Sequence, residues 1–333
     1  MSPSNSPSSP QINIAVIDAH NHLHKYHHKV PEEATLCYSW GSMLSSLIRD
    51  LSLNGAIAVF DPLVKESKPG RKPTPERIAR DQPDVQRICE AVGIPVINPS
   101  ELLEEGDQLV ADICYNLPLK EFERMWGEHT LNVYIASSDK DFAQLVTTEK
   151  IGGCSLKVRL VRREDESWKV YDEPRVLGKW GVRPDQMVDY LTLVGDSTDG
   201  IPGVKGIGEK TAAAILTVYG SIQNLLLKSS GLSADDFIEK FRSGEIVLNP
   251  VPSFTQTNAN NMSYSLPFIA ERRAMIELIP RRLQSFPNLF GTTPNITKTM
   301  MLLGSFGLSD MAAKLAEGRL WRKTRQITEK KPV

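Results

Sequence analysis

One segment of this chain, from Val188 to Gly220 (VDYLTLVGDSTDGIPGVKGIGEKTAAAILTVYG), constrains its fold more than any other. It opens with an apolar run and continues into Asp196 and Asp199, two acids spaced three residues apart. At this spacing both carboxylates can lie on one face of a helical turn and share a cation. The segment therefore predicts a pair of metal-binding acids just past an apolar run.

A glycine-rich loop, Gly203–Gly208, follows the acids and opens into a helix that we predict from Glu209 to Tyr219, with Gly220 as its C-cap. The loop glycines let backbone N–H groups turn outward, and the N-terminus of the following helix adds a positive dipole. Together they form a binding site for a phosphate group. A pair of metal-binding acids placed just before a phosphate-binding loop indicates a phosphodiester as the ligand.

The string G-D-S-T-D-G-I-P-G-V-K-G-I-G-E-K-T-A in this segment resembles the helix–three-turn–helix signature of the 5′-nuclease superfamily. That superfamily includes the 5′-nuclease domain of bacterial DNA polymerase I and the flap endonucleases of phages and eukaryotes. The resemblance implies an α/β fold, a PIN-like mixed sheet flanked by helices, with a helix–three-turn–helix motif that grips duplex DNA through its backbone. Carbonyl groups of such a loop can also hold a K⁺ ion, as they do in family members. The implied DNA-binding residues are Gly203, Val204, Lys205, Gly206, Ile207, Gly208, Lys210 and Thr211.

Acidic residues follow three of the four strands that the sequence predicts. Ile12–Ile17 reads as a buried parallel strand that ends at Asp18, and Ala56–Phe60 is closed by Asp61. Leu131–Ala136 is followed by S-S-D-K-D-F-A-Q-L, which resembles the D-K-D-x-x-Q-L turn of the family. Ligands of open α/β sheets bind at the carboxyl ends of the strands, so we expect these acids to meet at one edge.

The resemblance extends the acid set to eight residues. In E-E-G-D-Q, Glu105 and Asp107 align with the two acids common to the bacterial and eukaryotic forms, and Gln108 replaces an extra bacterial acid. So many carboxylates repel one another unless hard cations neutralise them, and oxygen-only ligation suits Mg²⁺ or Mn²⁺. The family pattern implies two ions, about 3.5–4 Å apart, that activate a water and stabilise the leaving oxygen. The first ion is assigned Asp18, Asp61, Glu105, Asp107 and Asp139; the second is assigned Asp139, Asp141, Asp196 and Asp199.

Three basic residues are implied to hold the scissile and flanking phosphates. Lys68 and Arg71 match the lysine and arginine at the base of the family's arch, and Lys25 fits the end of its D-G-x-x-x-L-x-R helix. The composition of Lys65–Pro75 alone favours a solvated linker, so both interpretations stay open for this segment.

Two other functions are compatible with parts of the sequence. A non-catalytic DNA-structure binder of the same fold would explain Gln108 and the short arch. An amidohydrolase barrel is suggested by Asp18-Ala-His20-Asn-His22, which copies a D-x-H-x-H strand motif. Such a barrel needs further histidine ligands from later strands, and only His129 follows the N-terminal histidine group.

Composition limits the remaining possibilities. A net charge of −1 means that DNA affinity has to come from a local patch. The four cysteines are scattered without C-x-x-C spacing, which indicates reduced thiols in a cytoplasmic compartment, near the nucleoid if the source is bacterial. No apolar run approaches membrane-spanning length, so no membrane partner is expected.

The resulting expectation is a metal-dependent, structure-specific 5′→3′ exonuclease and flap endonuclease that acts on DNA, or on RNA–DNA primers, in replication or repair. We expect a leader at residues 1–11, a catalytic domain at 12–180, a DNA-binding region at 181–245 and a helical extension with a basic tail at 246–333. Within the extension, Pro250–Met262 reads as a loop, Ala270–Leu289 and Thr297–Leu303 as helices, and Met311–Lys331 as a solvated tail or a second DNA contact.

Overall fold

The computed structural model describes residues 10–61, 73–98, 105–117, 127–197, 199–229, 236, 239–240, 243, 256–281 and 295–322. Its strands are β1 (Gln11–Asp18), β2 (Gly55–Val59), β3 (Val96–Ile97), β4 (His129–Ala136), β5 (Thr147–Ile151), β6 (Cys154–Glu164), β7 (Ser167–Tyr171), β8 (Gly195–Asp196) and β9 (Ile201–Pro202). Its helices are α1 (Ala19–His27), α2 (Cys37–Asp50), α3 (Glu76–Ala91), α4 (Gly106–Tyr115), α5 (Glu173–Trp180), α6 (Met187–Val194), α7 (Glu209–Tyr219), α8 (Ile222–Ser229), α9 (Gln256–Ile276), α10 (Ile296–Ser305) and α11 (Ser309–Ala316).

A seven-stranded sheet forms the centre of the described structure, in the order β3-β2-β1-β4-β6-β5, with β7 also paired to β6. The strands from β3 to β6 in this order are parallel, whereas β5 and β7 run antiparallel to β6. Ile17 lies opposite Ala58 in β2 and Ala136 in β4. The carboxyl ends of these three strands therefore meet at one edge, which confirms the predicted mixed α/β sheet.

The sheet is covered on both faces, as the continuous apolar run of β1 predicts. Ile14 and Val16 pack into one hydrophobic cluster, with residues of α4, α6 and α7. Ala15 and Ile17 point to the opposite face and pack with residues of α2, α3, α10 and α11. This alternation is the period-two pattern of a β-strand that is buried on both sides.

The predicted helical turn at Asp196 and Asp199 is wrong. Helix α6 ends at Val194, and Gly195–Asp196 pairs antiparallel with Ile201–Pro202 in a small hairpin. Gly195 has a φ of 84°, and a Cβ on Gly203 would lie 2.1 Å from the carbonyl oxygen of Val194. The close approach of two glycine backbones ends the helix and folds the acid pair into a turn.

Two predictions about the C-terminal half are also wrong. The segment predicted as a loop, Pro250–Met262, belongs from Gln256 onward to helix α9, which continues through Pro267 to Ile276. The helix predicted over Ala270–Leu289 stops at Ile276, and residues 277–281 have no regular secondary structure; side chains from elsewhere bind their backbone. Leu278 N donates to Gln144 Oε1 at 2.9 Å, and Arg281 N donates to Asp112 Oδ1 at 2.7 Å.

The stretch predicted as a solvated basic tail is structured over its first part. Helix α11 covers Ser309–Ala316, and Met311, Ala312 and Leu320 are buried in the second cluster. Trp321 Nε1 donates to Val92 O at 3.0 Å, and Arg322 N donates to Leu53 O at 2.9 Å. Residues 323–333 lie outside the described residues.

Other elements agree with their predictions. Helix α7 and its C-cap Gly220 have the predicted bounds, and the hairpin β6–β7 forms as expected. All four cysteines are buried free thiols. Among the described helices, none has both the length and the apolar character that crossing a bilayer requires.

Candidate metal centre and DNA-binding loop

Asp18 is the acid at the end of the central strand β1, and it is held on both carboxylate oxygens. Oδ1 accepts a hydrogen bond from Asn21 N at 3.2 Å and so caps helix α1, while Oδ2 accepts from Ser137 Oγ at 2.7 Å. Ser137 Oγ in turn accepts from Asp139 N at 3.0 Å. Burial raises the pKa of Asp18 to about 7; the Ser137 hydroxyl opposes this shift, and the charges of Asp61 and Asp139 add to it.

Asp61, which follows β2, connects this group to helix α4. Its Oδ1 accepts from Gly106 N at 2.9 Å at the start of that helix. A Cβ at Gly106 would lie 2.3 Å from the same carboxylate oxygen, so a side chain there would displace the Asp61 carboxylate. Glu105 is the N-cap residue and Asp107 lies in the first turn, so helix α4 brings both predicted acids to the strand edge.

The remaining acids form the tightest group of the site. Asp141, Asp196 and Asp199 each offer a carboxylate oxygen within 4.8 Å of the other two. Burial raises the pKa of Asp141 to about 8, and the charges of Asp139, Asp196 and Asp199 contribute. Burial and the charges of Asp199 and Asp196 also raise the pKa of Asp139, whose Oδ1 accepts from Asp141 N at 2.9 Å.

A cavity of about 370 Å³ joins the two halves of the acid set. Glu105 and Asp107 line it from α4, and Asp141 and Asp199 line it from the opposite side. With Asp18, Asp61, Asp139 and Asp196 linked to these residues as described above, the structure brings all eight predicted acids to one end of the sheet.

This donor set fits hard divalent cations. It consists of carboxylate oxygens, and burial, together with the charges of the neighbouring acids, raises the pKa of Asp18 and of Asp141. A divalent ion neutralises these charges, and oxygen-rich sites of this kind suit Mg²⁺ or Mn²⁺.

Gln108, which replaces an acid of the pattern that this segment resembles, makes structural contacts. Its Nε2 donates to Asp112 Oδ1 at 2.8 Å and to Ile279 O at 2.6 Å. The amide therefore ties helix α4 to the segment that follows α9, and the loss of one acid leaves the other eight in place.

Sequence reasoning missed three charged residues at the centre. Lys140 Nζ lies 3.2 Å from Asp196 Oδ2. Glu277 and Arg281 line the cavity of about 370 Å³ between the acids, called the acid cavity below. The Arg281 guanidinium lies 3.0 Å from Asp112 Oδ2. Lys140 was visible inside the D-K-D turn, whereas no sequence signal connects residues 277–281 to acids more than a hundred positions earlier.

The loop between α6 and α7 is held from both sides. Val204 N donates to Leu193 O at 2.8 Å, and the side chains of Val204 and Ile207 are buried. From α9, Asn261 Nδ2 donates to Lys205 O at 2.9 Å and Asn258 Nδ2 donates to Gly206 O at 3.0 Å. These two carbonyls therefore already accept side-chain donors.

The eight predicted DNA contacts divide by exposure. Lys205, Gly206, Gly208 and Lys210 are exposed, and Gly206 has a φ of 81° that favours glycine. Thr211 is buried with the two loop hydrophobics, and Gly203 packs against the end of α6. The surface available to DNA therefore consists of Lys205, Gly206 and Gly208, with Lys210 in the first turn of α7.

Lys25, one of the three predicted phosphate-binding cations, lines a cavity other than the one between the acids. Lys25 Nζ donates to Arg163 O at 3.2 Å and lines a separate cavity of about 440 Å³ with Lys29 and Arg163. Burial lowers the pKa of Lys25, and the charges of Lys29, Arg162 and Arg163 lower it further. Lys68 and Arg71 lie outside the described residues.

The amidohydrolase interpretation is wrong. Strand β1 ends at Asp18, so His20 and His22 lie on helix α1 and not on a strand, and the described sheet is open rather than a barrel. His22 is buried beside Trp40 and Trp168, with its Nε2 3.1 Å from Ala136 O. It is a core residue.

Two family profiles match this chain next to each other. Residues 13–181 match the 5′-3′ exonuclease N-terminal resolvase-like domain, and residues 182–249 match the 5′-3′ exonuclease C-terminal SAM fold. The chain belongs to the 5′-3′ exonuclease family.

Curated relatives of this 5′-3′ exonuclease family member agree with that assignment. A 5′-3′ exonuclease of Aquifex aeolicus is 32% identical over 197 residues, which cover 57% of this chain and 61% of that protein. DNA polymerase I of Bacillus subtilis is 28% identical over 61% of this chain and 22% of its own length. The chain thus spans less than two thirds of these relatives. Flap endonuclease Xni of Vibrio campbellii is 28% identical over 69% of this chain and 84% of its own.

Solved structures share the fold of this family member. The T5 D15 protein, co-crystallised with metal ions, aligns with a TM-score of 0.54 at 17% identity, covering 92% of this chain and 98% of that one. The catalytic core of Rad2 in complex with DNA substrate aligns with a TM-score of 0.57 at 16% identity, covering 92% of each chain. The likeness supports the α/β architecture.

Proposed function

We propose that this protein is a structure-specific 5′→3′ exonuclease and flap endonuclease that hydrolyses DNA or RNA–DNA phosphodiesters with the help of two Mg²⁺ or Mn²⁺ ions. The observation that carries the proposal is the joining of Glu105, Asp107, Asp141 and Asp199 around one cavity. The loop that follows Asp199 directly presents exposed backbone between two lysines. Family membership and the activities for which the relatives are named support the same activity.

The carboxylates would hold the ions, and the surrounding residues fix the carboxylates. Ser137 Oγ and Gly106 N donate hydrogen bonds to Asp18 and Asp61, and these bonds hold the two carboxylates at the carboxyl ends of β1 and β2. When bound, the ions supply charge neutralisation and activation of water for attack on phosphorus. The residues themselves hold this geometry before substrate arrives, which lowers the entropic cost of reaching the transition state.

Water is the nucleophile in this proposal, because the cysteines and Ser137, among the described residues, are engaged elsewhere. All four cysteines are buried, and burial raises the pKa of the Cys89 and Cys114 thiols. Ser137 donates its hydroxyl hydrogen to Asp18 and accepts from Asp139 N, which commits it to orienting acids.

Duplex DNA with a 5′ end or flap is the proposed substrate. The exposed backbone at Gly206 and Gly208 and the N-terminus of α7 suit a phosphate, with Lys205 and Lys210 exposed beside them. Contacts of this kind recognise the sugar-phosphate backbone and carry no base preference. A K⁺ ion at the loop, a cytoplasmic location and a role in replication or repair belong to the same proposal.

The predicted divisions at residues 12–180, 181–245 and 246–333 are kept as part of the proposal, with one refinement. Helix α9 of the extension holds the DNA-binding loop through two asparagines, and α10 and α11 pack on the sheet of the catalytic domain. We propose that the extension is an integral part of the enzyme rather than an appendage.

The experiment that tests this function compares substrates. A 5′-labelled flap duplex, a 5′-recessed duplex and the same strand alone are incubated with the protein, with Mg²⁺ or with EDTA. We expect release of mono- or short oligonucleotides from both duplexes in Mg²⁺, little from the single strand and none in EDTA. Tight binding to the flap without cleavage in Mg²⁺ or Mn²⁺ would favour the non-catalytic DNA-structure binder. Undiminished cleavage in EDTA would contradict the metal mechanism.

A further inference from the structure

Two histidines on α1 form a group that the nuclease site does not use. His20 and His24 lie four residues apart, and residues at this spacing face each other across one turn of a helix. Their Nε2 atoms are 2.9 Å apart, and their ring centroids are 4.6 Å apart at an interplanar angle of 63°. The two Nε2 atoms therefore face each other at hydrogen-bond distance.

This geometry matches that of two ligands on one ion. Imidazole nitrogens bind first-row divalent metals at about 2.0–2.1 Å, so two of them at a right angle lie about 2.9 Å apart. Two ligands at a tetrahedral angle would lie roughly 3.3–3.4 Å apart at the same bond length. The observed separation is that of an N–H···N hydrogen bond, and it also equals the spacing of two ligands in the right-angled arrangement of tetragonal sites, which Cu²⁺ and Ni²⁺ prefer with nitrogen ligands.

We propose that His20 and His24 form a binding site for a transition-metal ion that prefers tetragonal coordination, Cu²⁺ or Ni²⁺, and that this site is separate from the carboxylate centre. His20 is 7% exposed and His24 is half-buried, so one ligand is fixed by packing while the other adjoins solvent. In the described part of the chain, the group that offers three or more donors is the carboxylate set of Asp141, Asp196 and Asp199. The histidine pair would thus supply two ligands, and water would complete the coordination.

The two sites select different metals. Carboxylate oxygens suit Mg²⁺ and Mn²⁺, whereas imidazole suits Cu²⁺, Ni²⁺ and Zn²⁺. Affinity at the histidine pair should follow the order Cu²⁺ above Ni²⁺ above Mn²⁺, and Mg²⁺ should not compete. Because the pair spans the first turns of α1, an ion held there would link His20 to His24 and stabilise the folded state by mass action.

The test is a Cu²⁺ and Ni²⁺ titration of the full chain, purified without a polyhistidine tag, in an excess of Mg²⁺ that occupies the carboxylates. We expect one equivalent to bind, a Cu²⁺ electron paramagnetic resonance spectrum with coupling to two imidazole nitrogens, and a melting temperature raised by a few degrees. His24→Ala should weaken binding by at least about tenfold and remove the thermal shift. His24→Gln, which keeps a polar side chain, should do the same.

His28→Ala is the matched control, since His28 is an exposed histidine at the end of the same helix. It should leave Cu²⁺ and Ni²⁺ binding unchanged. Circular dichroism without added transition metal should show that each variant folds. Wild-type protein that binds neither ion in excess Mg²⁺ would overturn the proposal and leave the pair joined by an N–H···N hydrogen bond. Equal affinity in His24→Ala, or equal loss in His28→Ala, would also overturn it. None of these readouts depends on DNA cleavage.

Discussion

Single residues in this protein are set by what lies within a few ångströms of them, and two of them give clear expectations. Gly106 leaves no room for a side chain beside Asp61, and His22 is a titratable group enclosed by aromatic rings. A substitution at Gly106 would affect the metal centre by displacing the Asp61 carboxylate. His22 acts on stability alone.

Gly106→Ala should impair cleavage while the protein remains folded. The added Cβ would lie 2.3 Å from Asp61 Oδ1, so the carboxylate or the start of α4 has to shift. A displacement of about 1 Å in a catalytic centre lowers the rate by about 10²-fold. Gly178→Ala is the control, because a Cβ on Gly178 in α5 meets no atom within 4 Å. Single-turnover cleavage in Mg²⁺ is the measurement, and equal rates for the two variants would contradict the role assigned to Gly106.

His22 should make stability depend on pH. Burial, together with the charge of the nearby Lys25, lowers its pKa to about 4. Because the folded-state pKa lies below the unfolded value of about 6.5, His22 imposes no cost above pH 6.5, and stability falls as pH drops from there through 4. The full loss is about 3 kcal/mol by the usual conversion of pKa units into free energy.

His22→Phe should flatten that slope. Urea unfolding of wild type, His22→Phe and the exposed-histidine control His28→Ala at pH 7 and pH 4.5 measures it. The phenylalanine variant is expected to be less stable at pH 7, since Ala136 O loses its donor, but to lose less on acidification. Parallel pH dependence in wild type and His22→Phe would reject a buried neutral histidine.

Among the elements, α9 has the most direct connection to function. Asn258 and Asn261 donate to the carbonyls of Gly206 and Lys205, so the helix fixes the loop from outside the helix–three-turn–helix motif. This connection helps to hold the exposed turn at Lys205 and Gly206, while the neighbouring Val204 and Ile207 side chains are buried.

Replacing both asparagines with alanine should weaken binding to a flap duplex while Mn²⁺ affinity is kept. Each lost hydrogen bond is worth about 1 kcal/mol, so a roughly tenfold or larger loss of DNA affinity is expected from the pair. Tyr264→Ala, an exposed residue of the same helix, is the control and should bind normally. Fluorescence anisotropy with a labelled duplex and a parallel Mn²⁺ titration give both numbers. Equal loss of DNA and Mn²⁺ affinity would mean that α9 acts on the whole centre instead.

At the scale of the whole molecule, helices α10 and α11 pack on the face of the sheet opposite the one that α6 and α7 cover. Leu303, Leu308, Met311 and Leu320 are buried in the cluster that covers α2 and α3. Leu308 lies directly over Gly41, where an added Cβ would meet its side chain. The C-terminal helices are therefore core elements.

A chain that ends at residue 294 should be markedly destabilised. Burial of a large apolar side chain contributes about 1.5–3 kcal/mol, and the truncation exposes several such contacts at once. A chain that ends at Arg322 keeps every described contact of this region and is the control. Thermal unfolding of the two truncations compares them. A melting temperature unchanged by the larger deletion would show that α10 and α11 are dispensable for stability.

The parts of this structure that sequence reasoning predicted are those with a local signal. Helix α7 has a glycine-rich entry and Gly220 at its end, and Asp18 follows an uninterrupted apolar strand. The edge strand β5 was missed because most of its residues are exposed and carry no alternation. The turn at Asp196 was misassigned because the contact between Gly195 and Gly203 is tertiary.

The C-terminal half was predicted least well for a related reason. Helix α9 begins with polar residues and contains Pro267, which favour a loop when read alone. Asn258 and Asn261 bind a loop more than fifty positions away, and only the folded chain reveals that partner. In the same way, the basic residues after Met311 hid the apolar positions of α11.

The central claim is that the eight carboxylates form one metal-dependent hydrolytic centre, and Asp141→Asn tests it most directly. Asp141 belongs to the tight group with Asp196 and Asp199 and faces the acid cavity, and an amide there removes one charge with little change in size. Asp310→Asn, an exposed acid on α11, is the control. Single-turnover cleavage of a 5′-labelled flap duplex in Mg²⁺ should fall by about 10²-fold or more in Asp141→Asn and stay at the wild-type rate in Asp310→Asn. Wild-type cleavage by Asp141→Asn at saturating enzyme would contradict the account.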